Sequence, residues 1–260
     1  MKVSFYEGLG NTFCVVDAVE GEDYSALAPL LCNRFKRDGL IVVKTSPLEM
    51  VFYNQDGSQS PMCGNGIRCF AKYVQDEGLV SEDSYHVETL AGTMKVEVQS
   101  RDPFMCKINM GRPVFSNCLT KVADDLPLLN RQLEVDGQVV DVNIVFMGTI
   151  HTVLFVEDAV AMVGSPLGEK ICNHPLFLEH TNVNFVQAVN PSEIVVRTFE
   201  RGVGWTKACG TGCCASVVIA RRHGLVTGKV KVRLELGDLF VEGDDEVFMT
   251  GPATFEGKAD

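Results

Sequence analysis

The sequence predicts an α+β protein in which one fold occurs twice. Residues 62–80 and 208–226 align without a gap, and each copy reads Cys-Gly-x-Gly, a helical pattern and a closing Gly-Leu-Val. The identical pairs are Cys63/Cys209, Gly64/Gly210, Gly66/Gly212, Gly78/Gly224, Leu79/Leu225 and Val80/Val226. Most of the remaining chain has the pattern of short strands separated by turns, and 260 residues are enough for two domains of about 130 residues. We therefore predict two pseudo-symmetric lobes that arose by internal duplication.

Each copy of the repeat predicts a helix that begins directly after its cysteine. The helix should end before a glycine in the left-handed conformation, which suits the position just past a helix C-terminus. In the first copy, apolar residues recur at helical spacing and charged residues occupy the other side. The second copy is apolar nearly all round from Cys213 to Ala220. This pattern predicts a buried helix with a sheet wrapped around it.

The order of the other predicted elements is similar in the two halves. The first half has strands on either side of a Gly-rich turn at residues 8–11, a helix at 23–36, strands at 40–43 and 50–53, the first cysteine helix, and strands at 86–90, 94–98 and 105–108. The second half has strands at 133–135, 138–146 and 153–156, short helices at 159–162 and 168–174, strands at 182–187 and 193–199, the second cysteine helix, and strands at 230–236, 239–242 and 247–249. The spacing places the boundary near residue 116, with lobes 1–116 and 117–250.

A cysteine at a helix start is suited to acid–base chemistry. Free backbone N–H groups and the helix dipole bind anions there and lower the pKa of a nearby thiol. A pseudo-twofold axis can bring two such helix starts to a shared cleft, so that Cys63 and Cys209 face each other. One thiolate could then take a proton from a carbon while the opposite thiol gives one, which inverts a stereocentre. A structural disulfide and two buried packing cysteines are the alternatives.

Composition excludes several classes of function. A net charge of −11, with no long run of Lys or Arg, argues against a nucleic-acid or anionic-membrane partner and favours a small-molecule ligand. The ten cysteines include no Cys-x-x-Cys, and the five histidines lack metal-ligand spacing, so we expect no metal. The chain opens without an apolar signal core, and no later run is long enough to span a membrane. We expect a cytoplasmic protein with reduced thiols.

Several motifs resemble those of the pyridoxal-phosphate-independent diaminopimelate epimerases over nearly the whole chain. The motifs are Gly10-Asn11-Thr12-Phe13, Asn54-x-Asp56-Gly57-Ser58, Met62-Cys63-Gly64-Asn65-Gly66-x-Arg68-Cys69, Asn182-Val183-Asn184-Phe185, Glu200-Arg201-Gly202-x-Gly204 and Ala208-Cys209-Gly210-Thr211-Gly212. The resemblance implies two lobes, each a mixed β-sheet curled around a central helix, with the active site between them and no cofactor. It also implies that residues 251–260 return to the first lobe.

The resemblance assigns roles to particular residues. It implies that Cys63 and Cys209 are the catalytic acid–base pair and that the other site residues bind the substrate. Within the substrate set, Arg201 would pair with a distal carboxylate, Glu200 would reach an amine, and His151 would line the cleft near the thiols. The substrate-binding set is Asn11, Asn54, Gly64, Asn65, His151, Asn182, Glu200, Arg201, Gly210 and Thr211.

The implied function is inversion of the α-carbon of an amino acid, converting LL- to meso-diaminopimelate. Three departures from the family pattern concern the far end of the substrate: Thr149 in place of Asn, Trp205 in place of Glu, and the 34–39 segment in place of a Gly-rich loop. A racemase of histidine or glutamate with the same mechanism is therefore the alternative. A thiol redox sensor in which Cys63 and Cys209 form a disulfide is a more distant alternative. We expect an amino acid as the ligand and a homodimer as one option for assembly.

Overall fold

The computed structural model describes residues 1–259, and the chain separates into two units. The first lobe comprises Met1–Asn109 together with the C-terminal segment from Thr250, and the second lobe is Met110–Met249. The expected boundary near residue 116 therefore falls inside the second lobe. No helix in the described part of the chain is long and apolar enough to cross a membrane.

The first lobe is a mixed sheet with two long helices. Its elements in chain order are β1 (Val3–Gly8), β2 (Asn11–Asp17), α1 (Tyr24–Phe35), β3 (Gly39–Thr45), β4 (Leu48–Asn54), β5 (Gln59–Ser60), α2 (Gly64–Asp76), β6 (Ser84–Thr89), β7 (Gly92–Arg101) and β8 (Phe104–Asn109). β1 pairs antiparallel with β2, β2 parallel with β3, β3 antiparallel with β4, β4 parallel with β6, and β6 antiparallel with β7.

The second lobe repeats this arrangement. Its elements are α3 (Asn117–Thr120), β9 (Arg131–Val135), β10 (Gln138–Phe146), β11 (Ile150–Phe155), a 3₁₀ turn (Val160–Met162), α4 (Leu167–Cys172), β12 (Asn182–Asn190), β13 (Glu193–Glu200), β14 (Gly204–Thr206), α5 (Gly210–Arg222), β15 (Val230–Arg233) and β16 (Asp238–Glu242). From β10 to β16 the pairings are again antiparallel, parallel, antiparallel, parallel and antiparallel. The predicted α+β fold with two repeated halves is confirmed.

Two further strands complete the chain. They are β17 (Phe248–Pro252) and β18 (Thr254–Ala259). β18 pairs antiparallel with β1, with Val3 opposite Ala259 and Glu7 opposite Thr254, so it belongs to the sheet of the first lobe.

The cysteine helices lie inside their sheets, as the repeat predicts. α2 packs against β1, β2, β3, β4, β8 and β18, and α5 packs against β10, β11, β12, β13, β15 and β16. Every residue of α5 from Cys213 to Ala220 is buried. Each helix is followed by a glycine at positive φ, Gly78 at 67° and Gly224 at 69°, which ends the helix in the left-handed conformation that glycine adopts without a Cβ clash.

Helix α1 covers the opposite face of the first sheet. Its N-cap, Asp23, accepts hydrogen bonds from the backbone N–H groups of Ser25 and Ala26. Buried residues of α1 share a core with alternate residues of β2 and β3, among them Cys14, Val16, Leu40 and Val42. Ile41, between two of these, lies near α2. Both faces of the central strands are therefore covered, and the polar site residues are left at the strand ends and the helix starts.

Candidate active site

One group of candidate site residues lies at the start of α2, in the first lobe. Cys63 is the N-cap of this helix, in extended conformation, and its side chain is partly exposed. Its Sγ accepts a hydrogen bond from the backbone N–H of Gly66 at 3.3 Å. A Cβ on Gly66 would lie 3.1 Å from the Cys63 Cβ, closer than ordinary packing allows. The glycine therefore lets the turn close on the sulfur, which lies at the positive end of the helix dipole.

A buried arginine braces this turn. Asn65 donates from Nδ2 to Asn11 Oδ1, and its own Oδ1 accepts from Arg68 Nη1 at 3.0 Å. The same Nη1 donates to the Gly64 carbonyl at 3.1 Å, and Arg68 Nε donates to the Pro252 carbonyl at 2.9 Å. The Arg68 side chain is fully buried. The predicted residues Asn11, Gly64 and Asn65 are thus brought together with Cys63.

Asn54 occupies a separate position, in the turn that leads towards α2. Its Nδ2 donates to Ser58 Oγ at 2.9 Å, and its backbone N–H donates to the Ser58 carbonyl at 2.8 Å. Asp56 Oδ1 accepts from the Ser58 backbone N–H at 2.9 Å, which closes the turn. The Asn54 side chain is exposed at the end of β4 and contacts this turn.

A second group of candidate site residues lies at the start of α5, in the second lobe. Cys209 is the N-cap, is buried, and places Sγ 3.6 Å from Thr211 Oγ1. Burial raises the pKa of the Cys209 thiol well above its ordinary value, and the nearby Glu200 carboxylate raises it further. The Thr211 hydroxyl and the Gly212 backbone amide act in the opposite direction. The electrostatics favour the neutral thiol at this cysteine.

Glu200 is the partner of Cys209. Burial raises the pKa of the Glu200 carboxyl, whereas hydrogen bonds from the Thr206 hydroxyl and the Cys209 side chain lower it. The Thr206 Oγ1 to Glu200 Oε1 distance is 2.5 Å. The family resemblance predicts that Glu200 reaches a substrate amine, and in the structure Glu200 contacts the Cys209 thiol.

The remaining predicted residues of the second lobe are neighbours across β11 and β12. His151 is opposite Asn182 in the parallel register, and both are buried. Asn182 Oδ1 accepts from the backbone N–H of Arg201 at 3.0 Å, and Arg201 Nη1 donates to the Glu179 carbonyl at 2.9 Å. Burial, aided by the Arg201 charge, lowers the pKa of His151 to about 3, so the imidazole is neutral at physiological pH.

Two polar side chains important to this geometry were not among the predicted site residues. They are Arg68, which braces the turn after Cys63, and Asn184, whose Oδ1 lies against Gly212 where a Cβ would clash with it. Both belong to motifs that are visible in the sequence. Asn184 follows Asn182 by two residues on a strand, so the two side chains share a face. Arg68 follows Gly64 by four residues on a helix, which places it on the same side as the turn.

Metal ligation has no candidate in this geometry. Within residues 1–259, no group of three or more His, Cys, Asp or Glu side chains is arranged to hold a metal ion.

The family was established by comparison with known proteins. The model of one family, described as diaminopimelate epimerase, matches residues 3–116 and residues 143–256. The chain belongs to the diaminopimelate epimerase family. Diaminopimelate epimerases of Desulfitobacterium hafniense and Halothermothrix orenii are each 41% identical over 271 residues. The alignments cover 98% and 97% of this chain and 96% and 95% of the relatives. The resemblance predicted from the motifs is confirmed.

Solved structures outside the diaminopimelate epimerase family share the fold. A phenazine biosynthesis protein of the PhzF family from Bacillus anthracis superimposes with a TM-score of 0.75 at 15% identity, covering 100% of this chain and 98% of that one. A probable proline racemase from Agrobacterium radiobacter gives 0.70 at 15% identity, with coverage of 100% and 92%. At this identity the likeness concerns the fold alone.

Proposed function

We propose that this chain is an amino-acid epimerase that converts LL-diaminopimelate to meso-diaminopimelate by acid–base chemistry at two cysteines. The observation that carries the proposal is the pair of equivalent cysteine helices in a chain that belongs to the diaminopimelate epimerase family. Cys63 and Cys209 are the N-caps of equivalent helices in two lobes of matching topology. A reaction that removes a proton from one face of a carbon and adds one to the other needs two such groups.

The proton inventory of the proposed reaction balances without a cofactor. A thiolate takes the α-proton, the Cα–H electron pair is delocalised into the adjacent carboxylate, and the opposite thiol protonates Cα from the other face. The products are the inverted stereocentre, a new thiol and a new thiolate. The mechanism requires the two sulfur atoms to approach one Cα from opposite sides. In the reverse reaction, the two cysteines exchange roles.

Cys209 is the acid of the resting enzyme in this proposal. Its burial and the adjacent Glu200 carboxylate hold it as a thiol, which is the form that gives a proton. Cys63 is then the base. Its sulfur lies at a helix start, with the Gly66 N–H at 3.3 Å to stabilise negative charge.

Negative charge developing on the substrate carboxylate needs donors that are already oriented. The starts of α2 and α5 supply the positive ends of two helix dipoles, which favour bound negative charge. Asn65 is fixed at the first turn by Asn11 and Arg68, and Thr211 is fixed at the second beside Cys209. These fixed donors support electrostatic stabilisation of a carbanion-like transition state.

Two of the three departures from the family pattern have structural roles, which supports diaminopimelate over another amino acid. Trp205 packs against Phe185 and Phe199, with ring centroids 5.5 and 5.8 Å away, and joins the core of the second lobe. In the 34–39 segment, Asp38 Oδ2 accepts from the Thr12 backbone N–H at 2.7 Å. Thr149 is partly exposed in the turn between β10 and β11. Arg201 keeps a cationic group for a distal carboxylate.

Substrate choice is tested with the reduced protein. We expect kcat/KM for LL-diaminopimelate to exceed the values for L-histidine and L-glutamate by orders of magnitude, because buried polar groups left unpaired make rejection strong. Deuterium incorporation at Cα in D₂O is the direct assay. A preference for histidine or glutamate would assign a different substrate to the same two-cysteine mechanism. Absence of deuterium exchange with all three amino acids would refute the epimerase function and favour a redox-sensing role.

The two-thiol mechanism is tested by Cys63→Ser and Cys209→Ser. Each should lower epimerisation by at least about a thousandfold, since a hydroxyl is a far weaker acid than a thiol, while the far-UV circular dichroism stays unchanged. Cys118→Ser is the matched control, because Cys118 is exposed and lies outside the site. It should retain full activity. Full activity in either site variant would rule out the two-cysteine mechanism.

We also propose that the enzyme acts in the cytoplasm and assembles as a homodimer. A reducing compartment suits the mechanism, which needs both thiols unoxidised. The compartment can be tested by cell fractionation, and the assembly by light scattering on a protomer of 28.5 kDa. A monomer across the micromolar range would refute the dimer.

A further inference from the structure

Asn184 is a buried amide on β12 whose orientation is set by its partners. Its Nδ2 donates to the Thr152 carbonyl oxygen at 3.3 Å. A carbonyl oxygen only accepts hydrogen bonds, so the NH₂ end of the amide must face it. The Asn184 Oδ1 accepts from Thr198 Oγ1 at 3.0 Å. Both ends of the amide are therefore assigned.

The same NH₂ group faces His151. Asn184 Nδ2 lies 3.1 Å from His151 Nδ1, and both side chains are fully buried. Because the amide nitrogen can only donate, His151 Nδ1 must present its lone pair. A neutral imidazole that accepts at Nδ1 carries its proton on Nε2. The contact thus selects one tautomer of His151.

A second proton on the ring is disfavoured. It would have to be added to Nδ1, where it would meet the Asn184 NH₂ group, and burial already penalises the cation. Arg201 is the charged group that acts on His151 and opposes protonation further. The residues opposite His151 on β10 and β12 are Val145 and Asn182, which do not titrate. The ring therefore stays neutral and donates through Nε2.

The Nε2–H group needs an acceptor that the described residues do not provide. His151 Nε2 is buried and has no hydrogen-bond partner within residues 1–259. An unsatisfied buried donor is costly, so such a group in a folded protein is expected to meet a bound molecule. Asn184 links the ring to the site, because its Oδ1 lies against Gly212, and a Cβ at Gly212 would be 3.2 Å from Cys209 Sγ.

We propose that Asn184 is a positioning residue that holds His151 as a neutral Nε2–H donor, and that this donor binds a carboxylate oxygen of the substrate. The assignment rests on the proposed epimerase function. It makes His151 a hydrogen-bond donor and excludes it as the general base, because the Nδ1 lone pair is already occupied by Asn184. A carboxylate oxygen matches it as an acceptor without a proton of its own.

The tautomer is tested on the wild-type protein without substrate. With ¹⁵N-labelled histidine, two-bond ¹H–¹⁵N correlation spectra distinguish protonated from unprotonated ring nitrogens, and His151→Gln assigns the signal among the five histidines. The expected result is protonated Nε2 and unprotonated Nδ1 from pH 5 to pH 9. A protonated Nδ1 or a charged ring in this range would overturn the proposal. Adding meso-diaminopimelate should shift the Nε2 signal; an unchanged signal would refute the contact with the substrate.

The positioning role is tested by Asn184→Asp. A carboxylate offers Nδ1 an acceptor, so the proton should move to Nδ1 or the ring should become charged, and kcat/KM should fall by at least about tenfold. Asn143→Asp is the matched control, because Asn143 Oδ1 already accepts from His223 Nε2 at 2.9 Å. His223 should keep its Nε2 proton and activity should stay within about twofold of wild type. An unchanged His151 tautomer in Asn184→Asp would overturn the positioning role.

Failure of this proposal is distinguishable from failure of the proposed function. The tautomer is measured in the free protein and does not depend on catalysis. If deuterium exchange is absent and the Nε2 tautomer is found, the epimerase function and the carboxylate contact fall together, and the pairing of Asn184 with His151 stands. If exchange occurs and His151 is protonated on Nδ1, the positioning proposal fails by itself.

Discussion

At the scale of single residues, the two cysteines differ although their motifs match. Cys63 is partly exposed, whereas Cys209 is buried beside a carboxylate that also accepts from Thr206. A thiol and a carboxylate in contact disfavour a second negative charge, which raises the pKa of the thiol. The motifs predict a pair of similar groups. The structure indicates an asymmetric pair in which burial and Glu200 hold Cys209 as a neutral thiol.

Glu200→Gln tests the origin of this asymmetry. Removing the carboxylate charge should lower the pKa of Cys209 towards its ordinary value, so alkylation of Cys209 followed by mass spectrometry should begin at lower pH than in wild type. Epimerisation should fall, because a Cys209 with a lower pKa is less often in the thiol form that donates the proton.

Glu193→Gln is the control for this substitution. Glu193 lies at the other end of β13 and pairs with Arg233, 2.9 Å from its Nε, away from Cys209. In the Glu193→Gln variant, the pH dependence of Cys209 alkylation should match that of wild type. If Glu200→Gln also leaves the profile unmoved, the carboxylate is not what holds Cys209 as a thiol.

At the scale of elements, the start of α2 depends on one long side chain. Arg68 joins Gly64, Asn65 and Pro252 through hydrogen bonds from a fully buried guanidinium. Helical spacing predicts that Arg68 faces the turn. The sequence could not predict its bond to Pro252, because the two residues are 184 positions apart and the contact exists only when the C-terminal segment is in place.

Arg68→Met should destabilise the folded state by about 3 kcal/mol. The substitution keeps an unbranched apolar stem but leaves three acceptors without their donor, and charged hydrogen bonds contribute about 1.5 to 3 kcal/mol each, only partly additively. Urea unfolding followed by circular dichroism measures the loss.

Lys72→Met provides the comparison on the same helix. Lys72 forms an i,i+4 pair with Asp76 at 2.9 Å, an arrangement that contributes about 0.3 to 0.5 kcal/mol. Equal losses in the two variants would show that Arg68 has no special role at the start of α2.

The elements that the sequence predicts well are those with strong local signals. α1 has an Asp23 cap and apolar spacing, and the two cysteine helices have a repeated turn and a closing glycine. β5 and β14 were not predicted, since two or three residues carry no period and form strands only by pairing with β4 and β13. The contact between Glu200 and Cys209 has a sequence signal, because Glu200 precedes Cys209 by nine residues, the interval that also separates Asn54 from Cys63.

At the scale of the whole molecule, the duplication explains why function could be predicted more securely than individual side-chain contacts and short strands. The order of parallel and antiparallel pairings is the same in the two lobes, so an alignment of two short stretches correctly indicated a repeat of the complete fold. The C-terminal strand stands outside the repeat in sequence order. β18 belongs to the first lobe, and only the family resemblance indicated its return.

The chain also carries separate spectroscopic reporters for its lobes. All five tyrosines lie in the first lobe, and the single tryptophan, Trp205, lies in the second. Tyr6 packs against Phe255 of β18, with ring centroids 5.3 Å apart, and donates a hydrogen bond to Asp76 at 2.9 Å. Loss of β18 should therefore be visible in the tyrosine signal.

Deletion of residues 254–260 should lower the stability reported by tyrosine near-UV circular dichroism by about 4 kcal/mol, because β1 loses a hydrogen-bonded neighbour along most of its length and net hydrogen bonds contribute about 1 kcal/mol each. The double variant Glu256→Ala, Lys258→Ala is the control. It removes the ion pairs to Arg37 and Glu77 and keeps the strand, so it should cost about 1 kcal/mol or less. Trp205 fluorescence is recorded in the same urea titration. An unchanged tyrosine midpoint in the deletion variant would mean that β18 does not stabilise the first lobe, and a loss as large in the double variant would assign the stabilisation to side chains rather than to strand pairing.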